Sequence, residues 1–289
     1  MRKFRLRLIH LTRIKYLTRK RISYLLTLDT SLRLLYLKNP SEISTLLNIT
    51  TKKANSIYQD LHSLELINQI KSDSSKNYII TYFDPYYPEQ LKSIPDPPYV
   101  LYAKGDINLL KKTKTISVIG TRTPTINGRK KVEHFVKPLV KNNWLVVSGM
   151  ARGIDSFAHQ LALKSNGNTI SVLGSGFDHI YPKENKQLFY EIKNKGLVIS
   201  EYPPHFKPQR YYFPERNRII SGLTKGTIVI ESGERSGTLI TVDQALDQGR
   251  EVYVVPGDLF LKQTFGNNKL IQQGGKLVLN INDIEEDFI

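Results

Sequence analysis

From residue 115 onward the chain carries a series of short β-branched apolar runs, and this series limits the fold more than any other feature. The runs are TISVIG (115–120), WLVVSG (144–149), TISVLG (169–174), LVISEY (197–202), TIVIES (227–232) and EVYVVPG (251–257), with KLVL (276–279) as a possible further strand. Unbroken apolar character, without alternation, is what a strand buried on both faces requires. The stretches between the runs are polar and of helix length. This alternation predicts an α/β fold built on a doubly wound, mostly parallel sheet. In such sheets ligands bind beyond the carboxyl ends of the strands. Several runs end there in Gly, Ser or Thr, as a phosphate site would need.

The first third reads differently. All 18 glycines lie from Gly105 onward, and a Gly-free segment suits a helical module because Gly weakens helices. Leu6, Ile9 and Leu17, then Leu25, Leu28, Leu32 and Leu35, recur at mixed helical spacings. SEISTLL (41–47) opens on Ser41 as a cap, and residues 49–66 read as one longer amphipathic helix starting after Thr50 or Thr51. Five of the 14 prolines fall between Pro85 and Pro98. Proline removes backbone donors and biases the preceding residue to extended geometry, so no long helix runs there. The expected organisation is a basic helical domain over 1–80, a Pro/Tyr-rich connector over 81–110 packed on the sheet domain, and the sheet domain over 111–289.

The chain has 42 Lys+Arg against 26 Asp+Glu, a formal charge of +16. That excess points to a polyanionic partner, nucleic acid or an acidic membrane face. Residues 1–38 alone hold eleven Lys and Arg against the single acid Asp29. This segment reads first as a solvated basic face that adds long-range attraction, and second as a membrane-surface patch. There is no Cys, hence no disulfide, thiol nucleophile or thiolate metal site. The six His never fall at ligand spacing, so no structural zinc is expected. No apolar run approaches the ~18 residues of a spanning helix, and charges interrupt the basic N-terminus where a signal peptide would be continuous. A cytoplasmic protein without metal, cofactor or membrane insertion is expected.

Five segments carry candidate chemistry, and each has a plainer reading. Gly120-Thr121-Arg122 follows the first run: a tight turn, a hydroxyl and a planar fork matched to phosphate, or a turn with a solvated Arg. SGMARGIDSFAH (148–159) brackets Arg152 with two glycines and begins a helix at Asp155, so its backbone N–H groups could hold an anion. Asp155 and His159 share a helix face, as an acid–base pair or, more simply, as a cap and a satisfied core His. LGSGFDHIYPKEN (173–185) lacks the third Gly of a dinucleotide fingerprint, and no Walker A string occurs anywhere. Lys183 there stands near the ligand edge or on ordinary surface. RYYFPERNRIISG (210–222) surrounds Tyr211, Tyr212 and Phe213 with Arg210, Arg216 and Arg218. Cations beside exposed rings are the ingredients of single-strand binding, with Phe213 expected as the exposed ring. In ESGERSGTLIT (231–241), Ser236-Gly237-Thr238 precedes an apolar helix and reads as a phosphate cradle or as a cap alone.

Taken together, in this order and spacing, the segments resemble the DprA/Smf family of DNA-processing proteins from about residue 80 to the end. The resemblance rests on PPYVLYAKG, IGTR, SGMARGIDSFAH, VLGSGFDHIYPKEN, ISEYPP, FPERNRIISGL, ESGERSGTLIT, GREVYVVPG and FGNNKLIQQGG. It implies an extended Rossmann-like domain with a smaller helical, SAM-like N-terminal domain. It also implies sequence-independent binding and protection of single-stranded DNA, loading of the RecA recombinase in natural transformation, no catalytic reaction, and a homodimer. Carried over by position, the DNA pocket comprises Gly120, Thr121, Arg122, Lys183, Arg210, Phe213, Arg216, Asn217 and Arg218. Ser148, Gly149, Arg152, Ser236, Gly237 and Thr238 supply the adjoining loop ends. The family's usual GSR is GTR here, which keeps the hydroxyl and adds a methyl. The Gly-free N-terminal module argues against a Gly-containing hairpin DNA contact, and the short tail is expected to leave out the winged-helix domain of some relatives. Leu270 and Ile271 are either an isologous dimer contact or core.

Two rivals come from other classes. One is a Rossmann-like nucleotide hydrolase of the phosphoribohydrolase type. It would need an acid where Leu239, Ile240 and Thr241 stand. The other is a helix-turn-helix duplex DNA binder using residues 41–66.

Overall fold

A computed structural model describes residues 2–288. The chain forms two compact units: residues 1–85 with 98–102, and residues 86–97 with 103–289. The Pro/Tyr-rich stretch is therefore shared between them.

The first unit is mostly helical, with α1 (Arg2–Leu11), α2 (Arg19–Leu28), α3 (Pro40–Leu47), α4 (Thr51–Leu61), α5 (Leu64–Lys76) and the short strand β1 (Tyr78–Thr81). Its core gathers Leu8, Leu11, Ile22, Leu25, Leu35, Ile43, Leu47, Ile57 and Leu61. Two local expectations change. The cap of α3 is Asn39, which forms a reciprocal capping box with Glu42, and Pro40 takes the first helical position instead of Ser41. Proline tolerates that position because its missing N–H would be unpaired there anyway. The single helix expected over 49–66 breaks at His62, because the Ser63 hydroxyl accepts the Leu66 N–H and starts α5 afresh.

In the second unit a short helix, α6 (Glu89–Lys92), follows the first prolines. Strand β2 (Val100–Gly105), whose residues 100–102 belong to the first unit and 103–105 to the second, occupies the Pro-free end of the stretch that was expected as connector. The doubly wound part then runs β3 (Thr115–Ile119), α7 (Ile126–Lys141), β4 (Leu145–Ser148), α8 (Ile154–Lys164), β5 (Thr169–Leu173), α9 (Lys186–Lys195), β6 (Leu197–Ser200), α10 (Tyr212–Gly222), β7 (Gly226–Val229), α11 (Gly237–Asp247), β8 (Glu251–Val254), α12 (Phe265–Gln272), β9 (Lys276–Leu277) and α13 (Asn282–Glu285). The strands lie in the order β6-β5-β4-β3-β7-β8-β9. All six neighbouring pairs are parallel, with Ile116 opposite Val146 and Val118 opposite Ile228. This is the expected doubly wound sheet.

Strands β3 to β7 are buried on both faces, so their hydroxyls must find partners inside. Ser148 donates to the Val118 carbonyl at 2.7 Å, Thr169 to Val146 at 2.7 Å, and Thr115 to Leu223 at 2.8 Å. Ile116, Val118, Phe135, Trp144, Val146, Ile228 and Tyr253 form the core. No described helix is long and apolar enough to cross a membrane.

Asn267, fully buried on α12, fastens the strand ends. Its Nδ2 donates to the carbonyls of Val229, Ile230 and Val255 at 3.1, 3.1 and 2.7 Å. Asn267→Ala should lower the unfolding free energy by about 1–3 kcal/mol, the usual effect of stranding buried polar groups. Urea unfolding measures it, and an unchanged midpoint would show that water replaces the amide.

Candidate nucleic-acid interface

Strand order fixes where a ligand can sit. β3 has β4 on one side and β7 on the other. The connections leaving their carboxyl ends diverge to opposite faces and open a crevice. A cavity of about 430 Å³ lies there, lined among others by Gly120, Arg122, Tyr181, Arg210, Phe213, Arg216, Asn217, Gly237 and Thr238. A smaller one of about 50 Å³ shares Arg122, Tyr181, Phe213 and Arg216 and adds Gly149, Arg152, Gly174 and Pro182. Segments far apart in sequence thus converge on one crevice.

The loop carrying Arg122 is held from below by the buried Glu231. Its carbonyl accepts the Thr121 N–H at 2.7 Å, and its carboxylate takes the Thr125 N–H at 2.9 Å and the Thr125 hydroxyl at 2.6 Å. A Cβ at Gly120 would stand 2.7 Å from Ile154 Cγ1 and 2.9 Å from the Glu231 carbonyl, so only Gly fits. The Thr121 hydroxyl accepts the Thr123 N–H at 3.3 Å within its own loop. Arg122 itself is exposed.

The other wall is α10. Phe213, Arg216, Asn217 and Ile220 all line the cavity, as one helix face should. Phe213 is half-buried over the bare backbone of Gly174, where a Cβ would lie 2.8 Å from its Cδ1. Its ring is 5.4 Å from that of Tyr181, which is 46% exposed. The most exposed ring of the RYYF segment is Tyr211, at 60%, rather than Phe213. Phe213 is drawn inward because Gly174 leaves room for it.

Arg216 is buried. Its Nη1 donates to the carbonyls of Gly149, at 2.6 Å, and Val172, and its Nε donates to Asn217 Oδ1 at 3.1 Å. Burial pulls its pKa down to about 10, opposed by the nearby Asp155 carboxylate, so it keeps its charge at neutral pH. Arg218 is not in the crevice. Residues two apart on a helix point about 200° apart. Arg218 turns away to bond both carboxylate oxygens of Glu201 at 2.9 and 2.8 Å and Asp96 at 3.3 Å. A guanidinium so engaged and buried cannot serve a phosphate, which corrects the sequence expectation.

The remaining candidates divide. Ser148 is spent on the β3–β4 contact. Arg152 is exposed and paired with Glu184. Lys183 is exposed on the turn beyond Pro182 and does not line either cavity. Ser236 caps α11, accepting the Thr238 N–H at 3.2 Å and donating to the Thr238 hydroxyl at 2.9 Å. Leu270 is buried, which places it in the core, and Ile271 is half-buried. Sequence reasoning missed Tyr181 and Glu231. The first had a usable signal, a ring beside the quoted Pro182-Lys183. The second had none, since its contacts cross more than a hundred residues.

Asp155 and His159 are not arranged as an exposed acid–base pair. The Asp155 carboxylate is buried, accepts the Gly149 N–H at 3.1 Å, and has its pKa raised by burial, with Arg216 opposing. His159 is fully buried, 2.7 Å from the Thr169 hydroxyl through Nδ1. That hydroxyl already donates to Val146, so the proton of the shared bond belongs to Nδ1.

The second unit is a Rossmann-like domain with a cationic, ring-bearing crevice at its switch point. Residues 78–289 match the model of the DNA recombination-mediator protein A family, and the chain belongs to that family. It is 51% identical to the DNA processing protein DprA of Bacillus subtilis over 202 residues, 70% of this chain and 68% of that one. The crystal structure of DNA processing protein A from Streptococcus pneumoniae superposes with a TM-score of 0.84 at 35% identity, covering 96% of each chain. The Helicobacter pylori DprA structure, which addresses that protein's single-stranded DNA binding mode, gives 0.66 at 30% identity over 73% of this chain and 95% of its own. The family resemblance and the fold read from sequence therefore hold.

The burial of His159 has a pH signature. Desolvation first, and Arg216 next, lower its pKa to about 3, against about 6.5 in an unfolded chain. Between those values the unfolded state binds a proton that the folded state refuses, so stability falls as pH drops from about 6.5 toward 3. The thermal midpoint should decline between pH 7 and 5, and His159→Asn should flatten the decline. Parallel slopes in the two proteins would remove His159 as the cause.

Proposed function

We propose that this chain binds single-stranded DNA without sequence preference in the switch-point crevice and hands it to a RecA-type recombinase in the cytoplasm, breaking no bond. The observation that carries this reading is the convergence of Arg122, Arg210, Phe213 and Tyr181 on one cavity. Guanidinium groups neutralise phosphates through a planar fork, and rings stack on unpaired bases whatever their identity. The crevice offers no polar helix that could enter a groove, so it favours a flexible single strand over a duplex. A hydrolase of the nucleotide-processing type is disfavoured because Leu239, Ile240 and Thr241 occupy the positions where its acid is required. Family membership supports recombinase delivery. A homodimer through the half-buried Ile271 completes the proposal.

Fluorescence anisotropy with oligo-dT tests it. Arg122, Arg210 and Lys183, with Arg152 if its ion pair opens, give three to four phosphate contacts. At about −0.7 per contact, log affinity should fall against log salt with a slope of about −2 to −3. Phe213→Ala should weaken binding by about 1–3 kcal/mol, the range for one lost base stack. Arg122→Ala should weaken it equally for all sequences. A slope near zero, or an Arg122→Ala affinity within twofold of the parent, would sink the proposal.

A further inference from the structure

The first unit contains a second arrangement of polar and basic groups that the crevice does not use. α3 and α4 are joined by only three residues, Asn48, Ile49 and Thr50. Asn48 takes the left-handed conformation, φ 47° and ψ 60°, and its N–H closes on the last carbonyls of α3. A turn this tight makes the second helix cross the first at once. The angle is fixed by packing: Ile43 and Leu47 on α3, and Ala54, Ile57 and Leu61 on α4, are all buried in the same core. Ala54, the smallest of them, lets the two backbones come close. Two short helices, a three-residue turn with a left-handed residue, and a shared apolar seam constitute a helix-turn-helix.

The outer face of the second helix has the chemistry such a motif needs. Lys52, Asn55 and Gln59 are exposed on the side of α4 opposite its buried seam, and Thr51 and Lys53, also exposed, lie on its two flanks. Asn and Gln pair two-pronged with adenine, Lys with guanine, and Thr with several base edges or a thymine methyl. Positive charge is gathered at the start of this helix. Lys53 and Lys15, the latter from the loop between α1 and α2, stand over the same Tyr16 ring at 5.8 and 5.0 Å from its centroid. Lys52, the residue before Lys53, is exposed as well. The nearby acids are engaged: Glu42 pairs with Lys38 and caps α3, and Asp60 accepts the Lys15 backbone N–H at 3.2 Å.

We propose that α3 and α4 dock on duplex DNA, with α4 in the major groove, Lys15, Lys52 and Lys53 on the flanking phosphates, and Asn55 and Gln59 at the base edges. The major groove, about 12 Å wide, admits a single helix. The protein then has two nucleic-acid surfaces of different kind, a crevice for unpaired strands and a helix for paired ones. This second surface does not depend on the single-strand reading.

The test uses the full chain with two probes of equal length, a mixed-sequence duplex and oligo-dT. All substituted positions are exposed, so folding is not at stake. Lys52→Ala with Lys53→Ala should weaken duplex binding about tenfold and flatten its salt slope by about 1.8, at about 0.9 per phosphate contact. The affinity for oligo-dT should stay within about twofold. Arg122→Ala reports on the crevice separately and should leave duplex binding intact. An unchanged duplex affinity in the lysine variant overturns the proposal. So does an equal loss for both probes, which would mean general attraction only, and so does duplex binding that follows Arg122 instead.

Discussion

A buried guanidinium organises the crevice. Arg216 lies out of water, where an unpartnered charge would be prohibitively costly, and it is tolerated because its N–H groups all but replace that water with fixed acceptors. Two of those acceptors are main-chain carbonyls, at Gly149 just past β4 and at Val172 near the end of β5. The contact requires a bare backbone, since a Cβ at Gly149 would stand 2.5 Å from Arg216 Nη1. Fixing Arg216 fixes the rotation of α10 about its own axis. Phe213, one turn earlier, then lands on Gly174, and Asn217 turns toward the cavity. Arg218 is carried round to the opposite face, where Glu201 and Asp96 take it.

The same arrangement ties up the most polar buried groups beside the crevice. Two buried charged groups, Arg216 and Asp155, influence one another electrostatically and are committed to backbone partners. His159 is neutral and sealed behind them. What remains accessible is Arg122, Arg210, and the partly open rings of Phe213 and Tyr181. Fixed positive charge and π-surface suit a polyanion with splayed bases. Because the loop holding Arg122 is itself pinned by Glu231, little ordering is left for the ligand to impose.

Much of this was legible in the sequence, and the exceptions have definite physical causes. Unbroken Val/Ile runs announced both the strands and their burial, so the doubly wound sheet followed directly. The segments ending at the strand tips converge on one crevice because a parallel sheet aligns all its carboxyl ends. Arg218 was misplaced because a linear motif was not wound onto its helix, where two residues make more than half a turn. Phe213 was expected to be more exposed than Tyr211, but its depth is decided by the missing side chain of Gly174, thirty-nine positions away. β1 escaped notice because it is only four residues at the end of a helical segment, and β2 because it directly follows the cluster of prolines. The break between α4 and α5 depends on one hydroxyl, Ser63, within an otherwise continuous amphipathic pattern.

The charge of the N-terminal segment shows why net charge alone cannot locate a nucleic-acid surface. Eleven Lys and Arg in residues 1–38 invite the view that the whole segment is a basic brush. Several of those cations are structural instead. Arg5 is tied to Asp84 at 2.9 Å and Arg13 is buried between Asp73 at 2.6 Å and the Tyr102 hydroxyl at 2.9 Å. Arg7 donates to the Ser31 carbonyl at 2.6 Å and Arg21 to the Tyr16 carbonyl at 2.7 Å. Arginine suits this work because its fork satisfies two acceptors while its stem packs against apolar neighbours. Lys15 within this segment, and Lys52 and Lys53 beyond it on α4, are exposed instead. With Arg5, Arg7, Arg13 and Arg21 engaged internally, the segment's formal charge overstates what it presents to water.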